Sequence, residues 1–182
     1  MIAKEELNIL WSLEQTAEKY EDRVAVSDVN QELTWKGLVK KAQVIGAELS
    51  KKVQPGNPIP VLLEKSSETL AVMLGIVYAG CFYVMVDPKQ PIERLCEIFH
   101  TLLPEIIIIP AENEALLEQT GYGECKCLLK DIMKEPIERL CEILKSRLMK
   151  DSFLQYVKHA QQMTFYTESL LQALPECQRG LW

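Results

Sequence analysis

The sequence predicts an α/β fold in which a mostly parallel β-sheet is covered by helices. Short apolar runs, such as the isoleucines at 106–109, have the length of buried strands. Segments in which apolar residues recur with a helical spacing lie between these runs, as at 35–50. Turn residues, such as those at 54–58, separate the two kinds of segment. Strands that alternate with helices of this length are typical of parallel sheets.

The first part of the chain predicts a helix, a short strand and a second helix. Residues 6–20 place most of their apolar side chains on one stripe, and 23–28 has the composition of a strand. The chain then turns back through Asn30, and Thr34 is an expected N-cap. The stripe expected for the first helix consists of Leu7, Leu10, Trp11, Glu14, Ala17 and Tyr20, and the inward residues expected for the second are Leu38, Ala42, Ile45 and Leu49.

The middle of the chain repeats this alternation. Residues 59–64 predict a strand, Ser67 is expected to cap the next helix, and Gly80 is expected to end it. The buried face expected for this helix consists of Leu70, Met73, Leu74 and Val77. The remaining predicted elements are a buried strand at 81–87, a helix at 91–103, strands at 105–110 and 125–130, and helices at 112–121 and 135–150.

An internal repeat stands out, because "PIERLCEI" occurs at 91–98 and again at 136–143. Each copy begins with proline, which suits the first position of a helix, and continues with glutamate in the first turn. The two predicted stripes are Ile92, Leu95, Cys96, Phe99 and Leu103, and Ile137, Leu140, Cys141, Leu144 and Leu148. Two amphipathic helices lying on a sheet explain the repeat.

Composition and charge exclude several classes of protein. The chain has 182 residues, with 20 basic and 26 acidic side chains and a formal net charge of −6. The basic residues are scattered, which argues against a nucleic-acid partner or a membrane surface. The N-terminus is acidic where a signal peptide would be basic, so we expect a cytoplasmic protein. Length predicts one domain or two small ones.

The residues themselves show no catalytic, cofactor-binding or metal site. Incidental reduced thiols explain the six cysteines better than zinc or redox chemistry, because known ligand spacings are absent. His100 and His159 lack a neighbouring nucleophile motif and are expected to be solvated. The glycines at 121 and 123 lack the lysine of a phosphate-binding loop and predict a flexible loop. The cysteines are Cys81, Cys96, Cys125, Cys127, Cys141 and Cys177.

Two segments, "ELTWKGLVKKAQVIGAELSKK" at 32–52 and "SSETLAVMLGIVYAGCFYVMVDPKQPIERLCEI" at 66–98, resemble core motifs of amino-acid adenylation domains, found in nonribosomal peptide synthetases and D-alanine–carrier-protein ligases. Residues 32–52 match the first motif at Leu33, Thr34 and Leu38, with Trp35 in place of the usual tyrosine. Residues 66–98 resemble the second motif more closely. The residues in register there are Gly80, Tyr83, Asp87, Pro88, Pro91 and Arg94, and the departures are Cys81, Phe82 and Met85.

The resemblance implies the partial first lobe of an adenylate-forming enzyme at 1–150, followed by an aberrant tail at 151–182. The intact family uses ATP and Mg²⁺ to activate an amino acid and transfers it to a carrier-protein phosphopantetheine thiol. Its phosphate loop, ribose-binding aspartate and catalytic lysine follow the two motifs, and residues 1–182 contain no counterpart. We therefore expect a truncated fragment that is inactive alone. The alternative is a small non-catalytic interaction module that reuses the lobe, with the two "PIERLCEI" helices as docking faces.

The final segment, "QALPECQRGLW" at 172–182, follows no structural period. The family has a strand and a phosphate loop at this place. Codons read in a frame displaced by one base admit the loop sequence SGSTGMPKG across this segment. We hypothesise a one-base slip between about Asp151 and Gln161, and we expect a poorly packed tail from about residue 155. The nucleotide sequence of the gene tests this hypothesis.

Overall fold

The structure, a computed structural model, describes residues 9–133. The second copy of the repeat, the helix predicted at 135–150 and the tail at 151–182 lie outside the described residues. The elements in chain order are α1 Ile9–Lys19, β1 Val24–Ser27, β2 Glu32–Thr34, α2 Trp35–Ser50, β3 Pro58–Val61, α3 Ser67–Tyr78, β4 Phe82–Met85, α4 Ile92–Leu102, β5 Ile107–Ile109, α5 Glu114–Gln119, β6 Lys126–Leu128 and α6 Leu129–Ile132.

A four-stranded parallel sheet organises the described residues, with strand order β4-β3-β5-β6. Its register aligns Val61 with Met85 on one side and with Ile108 on the other. Strands β1 and β2 form a separate antiparallel hairpin. The predicted α/β class with a parallel sheet is therefore confirmed.

Alternate residues of β5 and its N-terminal neighbour face opposite sides of the sheet. Ile106 and Ile108 contact a cluster built mainly from α2 and α3, whereas Ile107 and Ile109 contact a cluster built from α4 and α5. Helices thus cover both faces of the sheet, and β5 lies buried between them. Burial on both faces explains why this strand is continuously apolar instead of alternating.

Helices α2 and α3 cross at two glycines. A Cβ atom added to Gly46 would lie 2.5 Å from Tyr78 Cβ, and one added to Gly75 would lie 2.6 Å from Ile45 Cγ2. Both distances are too short for real side-chain contacts. The absence of these two side chains therefore permits the close approach of the helix backbones.

The predicted boundaries of α2 and α3 are largely confirmed. Thr34 caps α2, because its Oγ1 accepts a hydrogen bond of 3.1 Å from the Gly37 N–H. All four predicted inward residues of α2 are buried. Gly80 has φ +75° directly after the C-cap of α3, so it ends this helix in a conformation that favours glycine.

The prediction for α3 is wrong in two details. Its N-cap is Ser66 and not Ser67, because Ser66 Oγ accepts the Thr69 N–H at 3.0 Å. The predicted buried face, Leu70, Met73, Leu74 and Val77, is only half-buried. The fully buried side instead carries Ala71, Val72, Gly75, Ile76 and Tyr78. These residues face inward because α3 packs against both α2 and the sheet.

The prediction that strand β4 is buried is also wrong. Tyr83 is 37% exposed and Met85 is 43% exposed. The physical reason is position: among the described strands, β4 lies at the edge of the sheet and pairs only with β3.

Two single residues depart from their predicted stripes. Leu103 is expected on the inward stripe of α4, but it is 71% exposed. Its φ of +47° makes it the left-handed C-cap of α4, which turns it off the buried face. Trp11 of α1 is 42% exposed, and Leu13 packs inward beside Leu10 and Tyr78 instead.

Candidate functional site

The carboxyl ends of the parallel strands form the edge of the sheet at which a ligand site is expected. Ligands of open α/β sheets bind beyond these ends. In this protein the loops after β3 and β4, the turn after β5 and the start of α6 occupy that edge of the sheet. The N-terminus of α3 follows directly from the β3 loop.

Asp28 lies against the N-terminus of α3. Its Oδ2 accepts a hydrogen bond of 2.8 Å from the Ser67 N–H, and its Oδ1 accepts hydrogen bonds from Asn30 (2.8 Å) and Gln31 (2.9 Å). The hydrogen bond from Ser67, followed by those from Asn30 and Gln31, holds the pKa of Asp28 well below its usual range. The carboxylate therefore joins the β1–β2 hairpin to α3.

Two further side chains at this helix start, Ser66 and Thr69, form local hydrogen bonds. Ser66 Oγ accepts the Thr69 N–H, and Thr69 Oγ1 donates to the Glu64 carbonyl at 2.6 Å. Asp28 and Ser66 therefore satisfy the backbone N–H groups of Ser67 and Thr69, which would otherwise attract a phosphate. The arrangement stabilises the helix start and leaves less of it available to an external anion.

Replacing Asp28 by asparagine is expected to destabilise the protein at neutral pH. Because the pKa of Asp28 is lowered in the folded protein, its carboxylate stabilises the fold at pH values above the ordinary carboxyl pKa. This stabilisation is lost as pH falls through the folded-state pKa. The stability difference between wild type and Asp28→Asn should therefore shrink on going from pH 7 to about pH 3. Urea unfolding at both pH values measures it. Asp22→Asn, an exposed change in the same segment, is the control, and an equal loss in both variants would contradict the role of Asp28.

An open cavity of about 340 Å³ lies beside α6 at the same edge. Its wall is mainly apolar, and its charged members are Glu68 and Lys130. Glu68 Oε1 is already 3.2 Å from Lys41 Nζ. The lining residues are Glu68, Pro110, Ala111, Leu128, Leu129, Lys130 and Met133. This wall offers few polar groups for a nucleotide.

The residues that resemble the second adenylation motif serve local structure. Asp87 Oδ1 accepts the Lys89 N–H at 2.9 Å and so closes the turn after β4. Arg94 pairs with Glu97 at 2.9 Å on the exposed side of α4. Gly80 ends α3. These residues lie along the connection that runs from the end of α3 through β4 to α4.

The cysteines are placed as structural side chains. Cys81 and Cys127 are buried, and Cys96 and Cys125 are half-buried. Burial raises the pKa of Cys81 to about 11 and also raises the pKa values of Cys125 and Cys127. These three thiols are therefore protonated and weakly nucleophilic at neutral pH. Cys141 and Cys177 lie outside the described residues.

His100 and the glycine loop also lack the surroundings of a site. His100 is exposed on α4, and His159 lies outside the described range. In the loop at 121–123, the Tyr122 ring packs edge-on against Phe99, with ring centroids 5.4 Å apart. The loop therefore contributes to the core beneath α4.

ATP and Mg²⁺, the groups implied by the resemblance, do not fit the described residues. Residues 9–133 contain no group of three or more His, Cys, Asp or Glu side chains that could hold a metal ion. The start of α3 is capped by side chains of the protein itself.

In the described part of the chain, no helix is both long enough and apolar enough to cross a bilayer.

Sequence comparison matches this chain to peptide synthetases. It is 33% identical over 110 residues to tyrocidine synthase 1 of Brevibacillus parabrevis, which covers 60% of this chain and 10% of that protein. It is 37% identical over 91 residues to the nonribosomal peptide synthetase anaPS of Neosartorya fischeri, which covers 50% of this chain and 4% of that protein. The chain thus spans a small part of these relatives.

Solved structures share the fold. An anthranilate CoA ligase, AuaEII, in complex with anthranoyl-AMP superposes with a TM-score of 0.65 and 18% identity, over 75% of this chain and 30% of that one. VinN in complex with 3-methylaspartate superposes with a TM-score of 0.64 and 22% identity, over 72% of this chain and 37% of that one.

The family profile described as "AMP-binding enzyme" matches residues 13–167, which is most of the sequence. The match includes both motif segments and all of the parallel sheet. This protein belongs to the AMP-binding enzyme family and is homologous to the adenylation domains of nonribosomal peptide synthetases.

Proposed function

We propose that this chain supplies the first, structural lobe of an amino-acid adenylation domain. Such a domain belongs to an ATP-dependent ligase that forms an aminoacyl adenylate and passes the amino acid to a carrier-protein thiol. One observation carries the proposal: the motif residues have structural roles, because Thr34 caps α2, Gly80 ends α3 and Asp87 closes the turn after β4.

We also propose that the 182-residue polypeptide does not form adenylates when it is alone. Transfer of an adenylyl group requires groups that stabilise charge on the phosphates. The loop ending in Pro-Lys-Gly that serves this purpose in the family is not found in residues 1–182. The α3 N-terminus, a natural anion-binding element, already holds Asp28.

The alternative function, an interaction module, is less well supported by the packing of α4. Leu95 and Phe99, the main apolar residues of this helix, are fully buried against the sheet and α5. A docking face on the first "PIERLCEI" copy would have to use the charged side of α4.

Pyrophosphate exchange tests the inactivity of the isolated chain. The purified polypeptide, with ATP, Mg²⁺ and a mixture of the amino acids, is expected to exchange labelled pyrophosphate only at background rate. An intact adenylation domain assayed in parallel is the positive control. Amino-acid-dependent exchange above background would contradict the proposed inactivity.

A graft tests the lobe function directly. The matching segment of an intact adenylation domain is replaced by residues 13–133 of this chain. If these residues build the same scaffold, the folded chimera retains measurable exchange. The same graft carrying Gly46→Ala, which strains the α2–α3 crossing, should lose it. A folded, unmutated chimera without exchange would count against the lobe function and favour the interaction module.

A further inference from the structure

Strand β4 has one edge with which no other described strand pairs. Among the described strands, β4 pairs only with β3. The Phe82 N–H donates to the Asn57 carbonyl at 3.3 Å, and the Val86 N–H donates to the Val61 carbonyl at 3.0 Å. Even-numbered residues of this segment therefore direct their backbone groups toward β3.

Odd-numbered residues of β4 must point the other way. Because successive residues of a strand direct their N–H and C=O groups to opposite edges, Tyr83 and Met85 present theirs away from β3. Their side chains share one face of the sheet, and both are partly exposed. Within residues 9–133 no strand pairs with these outward groups, so this edge of β4 combines backbone donors and acceptors that β3 does not use with two apolar side chains.

This edge lacks the features that usually prevent strand pairing. The β4 sequence, "FYVM", has no charge, proline or glycine, and its pairing with β3 is regular. The opposite edge differs, because β6 is three residues long and carries Lys126, whose Nζ is 2.8 Å from Glu114 Oε2. Strand addition is therefore favoured at β4 over β6.

We propose that β4 pairs in an antiparallel manner with β4 of a second copy of this chain. The two-fold axis passes between the Val84 residues of the two copies, so Tyr83 of one copy lies opposite Met85 of the other. Each Tyr83–Met85 pair then forms two backbone N–H···O=C hydrogen bonds. Outward N–H groups, which are partially positive, then meet outward carbonyls, which are partially negative. An identical strand is thus electrostatically complementary to this edge.

Side-chain chemistry agrees with this occupant. Residues directly opposite each other in an antiparallel pair share a face, so the Tyr83 ring lies beside the Met85 thioether of the second copy. Neither strand contributes a charge, so the strands themselves meet without repulsion although each chain has a net charge of −6. The two four-stranded sheets become one continuous sheet.

Sedimentation equilibrium of the 182-residue chain tests the proposal, with Met85→Pro as the informative variant. Proline removes the outward N–H of residue 85 and leaves the bonds from Phe82 and Val86 to β3 intact. We expect a concentration-dependent dimer whose Kd rises at least about tenfold in Met85→Pro. Met85→Ala, which keeps this N–H, is the matched control and should raise the Kd less than Met85→Pro does.

Three results would overturn the proposal. The first is a wild-type protein that stays monomeric at all concentrations, and the second is an equal rise of the Kd in the proline and alanine variants. The third is amide hydrogen exchange that slows at β6 on dimerisation but does not slow at Tyr83 and Met85. If Met85→Pro fails to fold, Tyr83→Lys and Met85→Lys replace it, because both place like charges across the two-fold axis. Unchanged dimerisation of folded lysine variants would equally contradict the proposal.

Discussion

Replacing Phe99 by alanine is expected to destabilise the protein by about 3–5 kcal/mol. Phe99 is fully buried between the sheet and α5, and its ring meets Tyr122 at an interplanar angle of 63°. Truncation removes the contacts of this ring and leaves a cavity beneath α4. Because a typical domain has only about 5–15 kcal/mol of stability, this loss is a large fraction of the total. Urea unfolding followed by circular dichroism measures it.

Leu103→Ala is the matched control for Phe99→Ala. Leu103 belongs to the same predicted stripe, but the structure places it in solvent after the end of α4. Its truncation should change stability by no more than about 0.5 kcal/mol. A large loss at Leu103, or a loss below about 1 kcal/mol at Phe99, would contradict the packing of α4.

Gly46→Ala is expected to destabilise the protein by about 2 kcal/mol or more, although alanine normally stabilises a helix by about 1 kcal/mol relative to glycine. The added methyl group would lie 2.5 Å from Tyr78 Cβ and 2.8 Å from the Gly75 carbonyl oxygen. The Gly75 carbonyl belongs to the backbone of α3, so relief requires the two helices to move apart. Thermal and urea unfolding report the net effect.

Gly123→Ala provides the comparison for Gly46→Ala. The nearest atom to its added methyl group is Glu118 Cγ at 3.3 Å, in a flexible side chain that can move. We expect a change of at most about 1 kcal/mol at this position. Equal stability of the Gly46→Ala variant and the wild type would mean that α2 and α3 do not pack as closely as described.

The alternation of elements can be predicted from sequence because each signal is local. Thr34 and Gly80 are recognisable as a cap and a stop, and both perform these roles. The spacing of apolar residues likewise identifies the buried side of α2. Such features depend on the preferences of a few neighbouring residues, which a linear sequence contains.

Placement within the sheet cannot be predicted in the same way. Strand β4 is apolar throughout, so its composition does not distinguish a central strand from an edge strand. Helix α3 is apolar on most sides, so the choice between its Leu70 side and its Ile76 side depends on where α2 packs. Both properties arise from long-range contacts.

The hydrogen bond between Asp28 and the start of α3 could not be predicted from the sequence either. Asp28 falls at the end of a predicted strand, whereas its carboxylate caps α3 through Ser67, 39 residues later in the chain. A local signal is present, because an aspartate followed by Asn30 and Gln31 can form a side-chain-capped turn. The second carboxylate oxygen binds a distant helix, and only the fold identifies that helix.

Calorimetric titration with ATP in the presence of Mg²⁺ tests most directly the claim that this lobe is structural. We predict no saturable heat for the 182-residue chain at ATP concentrations up to about 1 mM. An intact adenylation domain in the same buffer verifies that binding is detectable. Saturable binding of ATP at one site per chain, competed by AMP, would contradict the claim, because it would mean that this chain contains a nucleotide site of its own.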